Sequence, residues 1–236
     1  MIGIYLIGFV FMGISWLVSR RLKSKFEQYS KIGLSNRMSG AEIAQKMLSD
    51  NGLGNTRITQ VDGQLTDHYN PADRTVNLSG DVYHGRSAAS AAVAAHECGH
   101  AVQHATAYAA LKLRSALVPA VNVASKIMGM ANMFLIMGGI YLISSGSTIG
   151  NTVLMVLIAA NLALTLFTLI TLPVEFDASR RALVWMEERN VVNQSELAMS
   201  KDALKWAAMT YVVAALGAIA NLAYYVMIFL GGRSDD

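Results

Sequence analysis

The stretch "SAASAAVAAHECGHAVQHATAYAALKL", residues 87–113, is alanine-rich and apolar, yet it carries three of the chain's five histidines and a glutamate. Small residues without a breaker predict a helix that starts near Ser87 and reaches the neighbourhood of Leu117. Its hydropathy would suit a membrane span, but three imidazoles and a carboxylate are too costly on a face turned to lipid. The helix is therefore expected in the interior of a protein part beside a membrane. Everything else in the chain is placed around it.

The rest of the 236 residues is membrane-like in composition. Hydrophobic residues make up 53% and charged residues 15%, which points to spans rather than a soluble globule. A net charge of +3, with no basic stripe interleaved with aromatics, excludes nucleic acid as a partner. The single cysteine, Cys98, can make no internal disulfide, so no oxidising compartment is implied. Four stretches lack any charge and approach the roughly twenty residues a crossing needs: 1–18, 127–145, 149–172 and 208–230. The first is followed by "SRRLKSK" and lacks a cleavage site, which suits an uncleaved anchor. Of the 19 lysines and arginines, only Arg233 lies outside 19–126 and 173–207. The positive-inside rule then puts those two segments in the cytoplasm and both termini outside. The expected fold is a mainly α membrane protein with four transmembrane helices and a cytoplasmic α+β part.

Within 19–126, Ser39 and Glu42 form a capping box that opens a helix over 39–51, with Asn51-Gly52 as its stop. The β-branched residues and turn signals of 56–83 predict a small antiparallel sheet, with 74–80 as one strand. In 173–207, Pro173 either ends the third span or sits in the first turn of a new helix. A second short helix, around 194–207, leads into the last span.

His96 and His100 are four apart, so on a helix both imidazoles leave one face, one turn above the other. That spacing offers two nitrogens to one tetrahedral zinc ion at about 2 Å. Glu97, about 100° further round, can reach the attacking water without being a ligand, and so suits a general base. Cys98 points roughly 200° from His96, away from the ion. His104 lies about 12 Å along the axis from His96, too far to share the ion on a straight helix. It is expected as a neighbour. A catalytic zinc wants a third protein ligand. Glu175, just past the third span, returns to the membrane face that carries the histidines. Asp177 competes, but lies about 200° from Glu175, so only one of them can face the ion. Ala178, Ser179 and Ala182 share the Glu175 face and permit close packing.

The motifs "VAAHECGHAVQHA" (93–105), "DHYNPADRTVNLS" (67–79) and "LPVEFDASRRAL" (172–183) resemble the bacterial membrane neutral zinc metallopeptidases of the YugP type. The likeness covers most of the chain. It implies a zincin-like, gluzincin-type metalloendopeptidase in the cytoplasmic membrane. More distantly, the chain is similar to the HtpX-type membrane proteases, in which Glu-aromatic-x-Ala-Asp follows the histidine motif beyond a hairpin. Glu175, Phe176 and Ala178 match that pattern, which supports Glu175 as the third ligand, whereas Ser179 replaces the aspartate. Asp177 and Ser179 are then the candidates for orienting a ligand histidine. The resemblance also implies protein or peptide substrates, membrane-associated ones included, and a role in membrane-protein quality control.

Zincins of this kind hold their peptide along a sheet edge, which makes strand 74–80 the expected pairing strand. The oxyanion donor is open among His68, Tyr69, Tyr83, His84 and Arg180. A non-catalytic zinc scaffold is the alternative, and Glu97 argues against it because a structural site needs no base. Cleavage inside the bilayer would need the histidine motif within a span.

Overall fold

The computed structural model describes residues 2–134, 137, 139, 141, 143 and 147–231. In chain order the elements are α1 (Ile2–Ser30), α2 (Gly40–Asp50), β1 (Arg57–Val61), β2 (His68–Asn70), β3 (Thr75–Ser79), α3 (Gly80–Tyr83), α4 (Ala88–Ala105), α5 (Ala109–Phe134), α6 (Thr148–Glu188) and α7 (Gln194–Gly231). They fall into two compact units. One is Met1–Trp16, Leu113–Thr171 and Tyr211–Asp236; the other is Leu17–Lys112 and Leu172–Thr210.

The first unit holds the apolar helix segments. Among the described residues three helices are long and apolar enough to cross a membrane: Gly3–Ser30, Thr148–Glu188 and Gln194–Gly231. They contain the first, third and fourth expected spans. The second, 127–145, begins in α5 and continues into 135–145, most of which lies outside the described residues. Leu6, Phe9 and Met12 stand exposed along α1, where water would make such a row costly and lipid does not.

The second unit holds every motif quoted above. Its core joins Ile43, Leu48, Val76, Leu78 and Val82 to the alanine face of α4, all fully buried. Each of those five side chains stabilises the fold by about 1.5–3 kcal/mol relative to exposure. The capping box on α2 forms as expected: the Ser39 hydroxyl accepts from the Glu42 N–H and the Glu42 carboxylate accepts from the Ser39 N–H. Cys98 is buried and donates to the Ala44 carbonyl, as its angle on the helix requires.

The sheet departs from expectation. Its order is β1-β3-β2, with β2 and β3 antiparallel but β1 and β3 parallel. The Pro71–Arg74 turn fixes only the hairpin between β2 and β3. The link 62–67 carries the chain across the end of β3, where Asp67 accepts from the Ser79 N–H at 2.7 Å, and β3 is thereby inserted between its neighbours. Paired on both sides, β3 has no free edge for a substrate strand. The expectation placed on 74–80 is wrong, and β1 and β2 are the edges.

Three helix boundaries also differ. The histidine helix ends at Ala105 rather than near Leu117. Ala107 adopts φ 53°, the Ala107 N–H returns to the His104 carbonyl and the Tyr108 N–H to the Gln103 carbonyl, which is the closure glycine normally provides. Pro173 ends nothing, since α6 runs through it to Glu188 and loses only the hydrogen bond that proline cannot donate. The helix expected at 194–207 is likewise the start of the unbroken α7.

Candidate metal centre

Ser87 caps α4, its hydroxyl accepting from the Ser90 N–H at 3.2 Å, and the helix carries His96, Glu97 and His100 into the second unit. Opposite them α6 comes very close. A Cβ on Gly99 would lie 2.6 Å from the Ala178 carbonyl oxygen, so a hydrogen at position 99 is what lets the two helices meet. Ala178 and Ala182 are fully buried on the facing side.

That approach delivers Glu175 to the histidines. His96 Nε2 lies 3.3 Å and His100 Nε2 3.6 Å from Glu175 Oε2, and one donor atom from each residue falls within 4.8 Å of the others. A tetrahedral zinc with bonds of about 2.0–2.1 Å separates its donors by roughly 3.3 Å, so both histidine–carboxylate spacings are those of a common ion. The imidazoles are nearly perpendicular, at 83°, with centroids 4.8 Å apart. Side-chain exposure is 13%, 11% and 4% for His96, His100 and Glu175, a burial that suits a shielded ion.

The outer nitrogens are held as well. Gln103 is fully buried, and its amide donates to the Val174 carbonyl at 2.8 Å and to Asp177 Oδ2 at 2.9 Å. Those two bonds fix the amide's orientation. Its Oε1 therefore faces His100 Nδ1 at 3.0 Å, the proton sits on Nδ1, and Nε2 is left bare toward the shared point. Asp177 is itself gripped by Arg180 and Arg181. Ser179 Oγ lies 3.1 Å from His96 Nδ1. Both orienting candidates are in contact with the histidines, Ser179 directly with His96 and Asp177 through Gln103 with His100. Gln103 was not among the residues expected; its signal was its position three beyond His100 on one helix face. Gln103→Leu should weaken zinc binding by about 10–100-fold, read by competition with a chelator, while the helix remains folded.

Glu97 stands outside the trio. It is 8% exposed, and its Oε2 accepts from the Tyr69 N–H of β2 at 3.0 Å. His104 is also outside, paired through Nδ1 with the Tyr69 hydroxyl at 2.8 Å. Among the five oxyanion candidates, Tyr69 is the one tied to Glu97. His68 turns to the Thr66 carbonyl, His84 to Gln60, Tyr83 packs edge-on against His84, and Arg180 is taken by Asp177. Burial pushes the Cys98 thiol well up, reinforced by Glu97, so no thiolate competes for a metal. At His100 burial acts downward, but the bond to Glu175, the charges of Glu97 and Glu175 and the bond to Gln103 outweigh it and raise the imidazole above its ordinary value.

The family model described as "Putative neutral zinc metallopeptidase" matches residues 4–230. The chain belongs to this family. The "Putative membrane protease YugP" of Bacillus subtilis (strain 168) is 43% identical over 226 residues, covering 95% of this chain and 96% of that protein. No solved structure matches the chain. Family membership makes zinc the expected ion, and the donor set fits it: two imidazole nitrogens and one carboxylate oxygen within reach of a common point.

Proposed function

We propose that this member of the neutral zinc metallopeptidase family is an integral-membrane metalloendopeptidase of the gluzincin type. It hydrolyses peptide bonds of protein substrates at the cytoplasmic face, with membrane-protein quality control as its setting. One observation carries the reading: Glu175 joins His96 and His100 in a single trio, while Glu97 stands beside it and outside it. The orientation, with both termini outside, rests on the lysine and arginine distribution.

When bound by His96, His100 and Glu175, zinc supplies a Lewis acid for the scissile carbonyl and acidifies a water. Glu97 accepts the proton of the attacking water and returns it to the leaving amine. The Tyr69 N–H holds the Glu97 carboxylate in place. Gln103 and Ser179 hold the two imidazoles by their outer nitrogens.

Purified protein in detergent, assayed for bound zinc and casein cleavage beside its Glu97→Gln variant, tests the reading. Glu175→Ala should empty the zinc site, whereas His104→Ala should leave it filled; the reverse pattern would overturn the ligand set. Zinc should also leave on acidification. Proton and metal compete for His100 Nε2, and a raised imidazole lets the proton win at a higher pH than an ordinary histidine would. Equilibrium dialysis over a falling pH series measures this.

A further inference from the structure

Within the first unit, α1, α5, α6 and α7 enclose a cleft of about 490 Å³. To its wall α1 brings Gly8, Phe9 and Met12, α5 brings Asn132, α6 Asn161, and α7 Asn221 and Tyr225. The three asparagines stand out because the apolar stretches that carry them hold no charged residue. A side-chain amide in hydrocarbon is costly unless a partner answers it, and polar groups placed there mark sites.

The protein answers these groups only in part. The Asn161 amide donates to the Leu157 carbonyl at 3.0 Å and to Met128 Sδ at 3.2 Å. Among the described residues nothing donates to its Oδ1, and no hydrogen bond engages the side chains of Asn132 and Asn221. Tyr225 is 2% exposed, and its hydroxyl is buried without a hydrogen-bond partner among the described residues. A buried hydroxyl left unmatched calls for an explanation. A Cβ on Gly8 would meet nothing within 4 Å, so the α1 side of the cleft is open space. Phe9 and Met12 on that side are 66% and 61% exposed, which gives the opening an apolar rim.

Depth decides what can enter. Asn161 stands twelve residues after Ile149 and eleven before Leu172, and Asn221 thirteen after Ala208 and nine before Leu230. At 1.5 Å per residue both lie within about 3 Å of the middle of their apolar stretches. Half of a hydrocarbon layer about 30 Å thick separates that level from the headgroups. A lipid's polar end does not reach the asparagines, and its acyl chain offers them nothing. A polypeptide enters hydrocarbon as a helix, and a carboxamide on it donates and accepts as the asparagines do. A second copy docked by two-fold symmetry would set cleft against cleft and leave both unfilled.

We infer that this cleft binds a transmembrane helix of another protein, one that carries an uncharged carboxamide side chain near mid-span. The inference rests on the reading above that these helices cross a bilayer, and adds to it a place where a partner's span is held.

Energy transfer in phosphatidylcholine vesicles tests it. Full-length Glu97→Gln protein with a donor label at its C-terminus is titrated with acceptor-labelled helical peptides of about twenty leucines and alanines. One carries a glutamine at its centre, one a glutamine near its end, and one none. The central-glutamine peptide should bind about tenfold tighter than the other two, from a few hydrogen bonds of the strength found between transmembrane helices. Asn132→Leu together with Asn221→Leu should abolish that preference, and Gly8→Leu, which projects into the open space, should weaken every peptide. Unchanged zinc content and helicity show that these variants are folded. Equal binding of the three peptides, or a preference that survives the asparagine replacements, overturns the inference. So does energy transfer between two differently labelled copies of the chain that the central-glutamine peptide displaces, since the cleft is then an interface between copies. A chain that does not float with the vesicles removes the membrane placement, and the cleft with it. Because no bond is cut, casein cleavage by the wild-type chain decides the peptidase reading separately.

Discussion

Glu97→Gln is expected to keep its zinc and lose peptide hydrolysis by about 10²–10⁴-fold, the range a positioned general base contributes. The geometry makes this a clean variant. Glu97 is not one of the three clustered donors, so its charge is not needed to hold the ion. Glutamine has nearly the same volume, and its amide oxygen can still accept the Tyr69 N–H that glutamate accepts at 3.0 Å. What it cannot do is take a proton from water at neutral pH. Zinc content by elemental analysis and casein cleavage, measured on the same preparation, check both halves. A fully loaded variant that cleaves at the wild-type rate would remove the enzyme reading and leave a zinc-binding scaffold.

Gly99→Ala sets two effects against each other. Alanine in place of a helical glycine favours the helix by about 1 kcal/mol. Against that, the new methyl would sit 2.6 Å from the Ala178 carbonyl oxygen and 3.1 Å from Ala178 Cα, both backbone atoms that no rotamer change can move aside. Overpacking of this kind costs about 1–3 kcal/mol, so the clash wins or at least cancels the gain. The more telling loss is in the site. Ala178 lies one turn beyond Glu175, and pushing α6 away withdraws the carboxylate from His96 and His100. Zinc affinity should fall by more than tenfold even where the melting temperature barely changes, and a chelator competition reads it. A variant that melts higher and keeps its zinc would show that the helices are not in contact at this point.

The cluster of His96, His100 and Glu175 was legible from the sequence because two of its members share one helix face and the third lies in a short, separate motif. His96, Glu97 and His100 lie within five residues of one helix, and helical geometry alone places Cys98 and His104 apart from them. Glu175 was legible as a carboxylate just past the third apolar stretch, at the start of a motif shared with the resembling family, and it is clustered with both histidines. What the sequence did not disclose depended on backbone choices with no side-chain signature. Ala107 takes a left-handed conformation that alanine seldom adopts, so nothing in "HATAYAA" announces a break. The insertion of β3 between β1 and β2 follows from Asp67 capping the Ser79 N–H, a contact across twelve positions that a turn signal cannot encode. Pro173 reads as a boundary, yet one missing hydrogen bond did not outweigh the packing of Val174, Ala178 and Ala182 that continues the helix. Gln103 escaped because glutamine on an alanine-rich helix is usually a solvated residue, and only the buried carbonyl of Val174 shows why it is there.

The unbroken course of α6 sets an order of events during synthesis. The histidine helix leaves the ribosome seventy-odd residues before Glu175, so a nascent chain carries two metal donors and its base without the means to hold an ion firmly. The third donor is made only with the second half of α6, so a chain stopped short of that helix carries two of the three clustered donors and lacks the one that brings them to a common point.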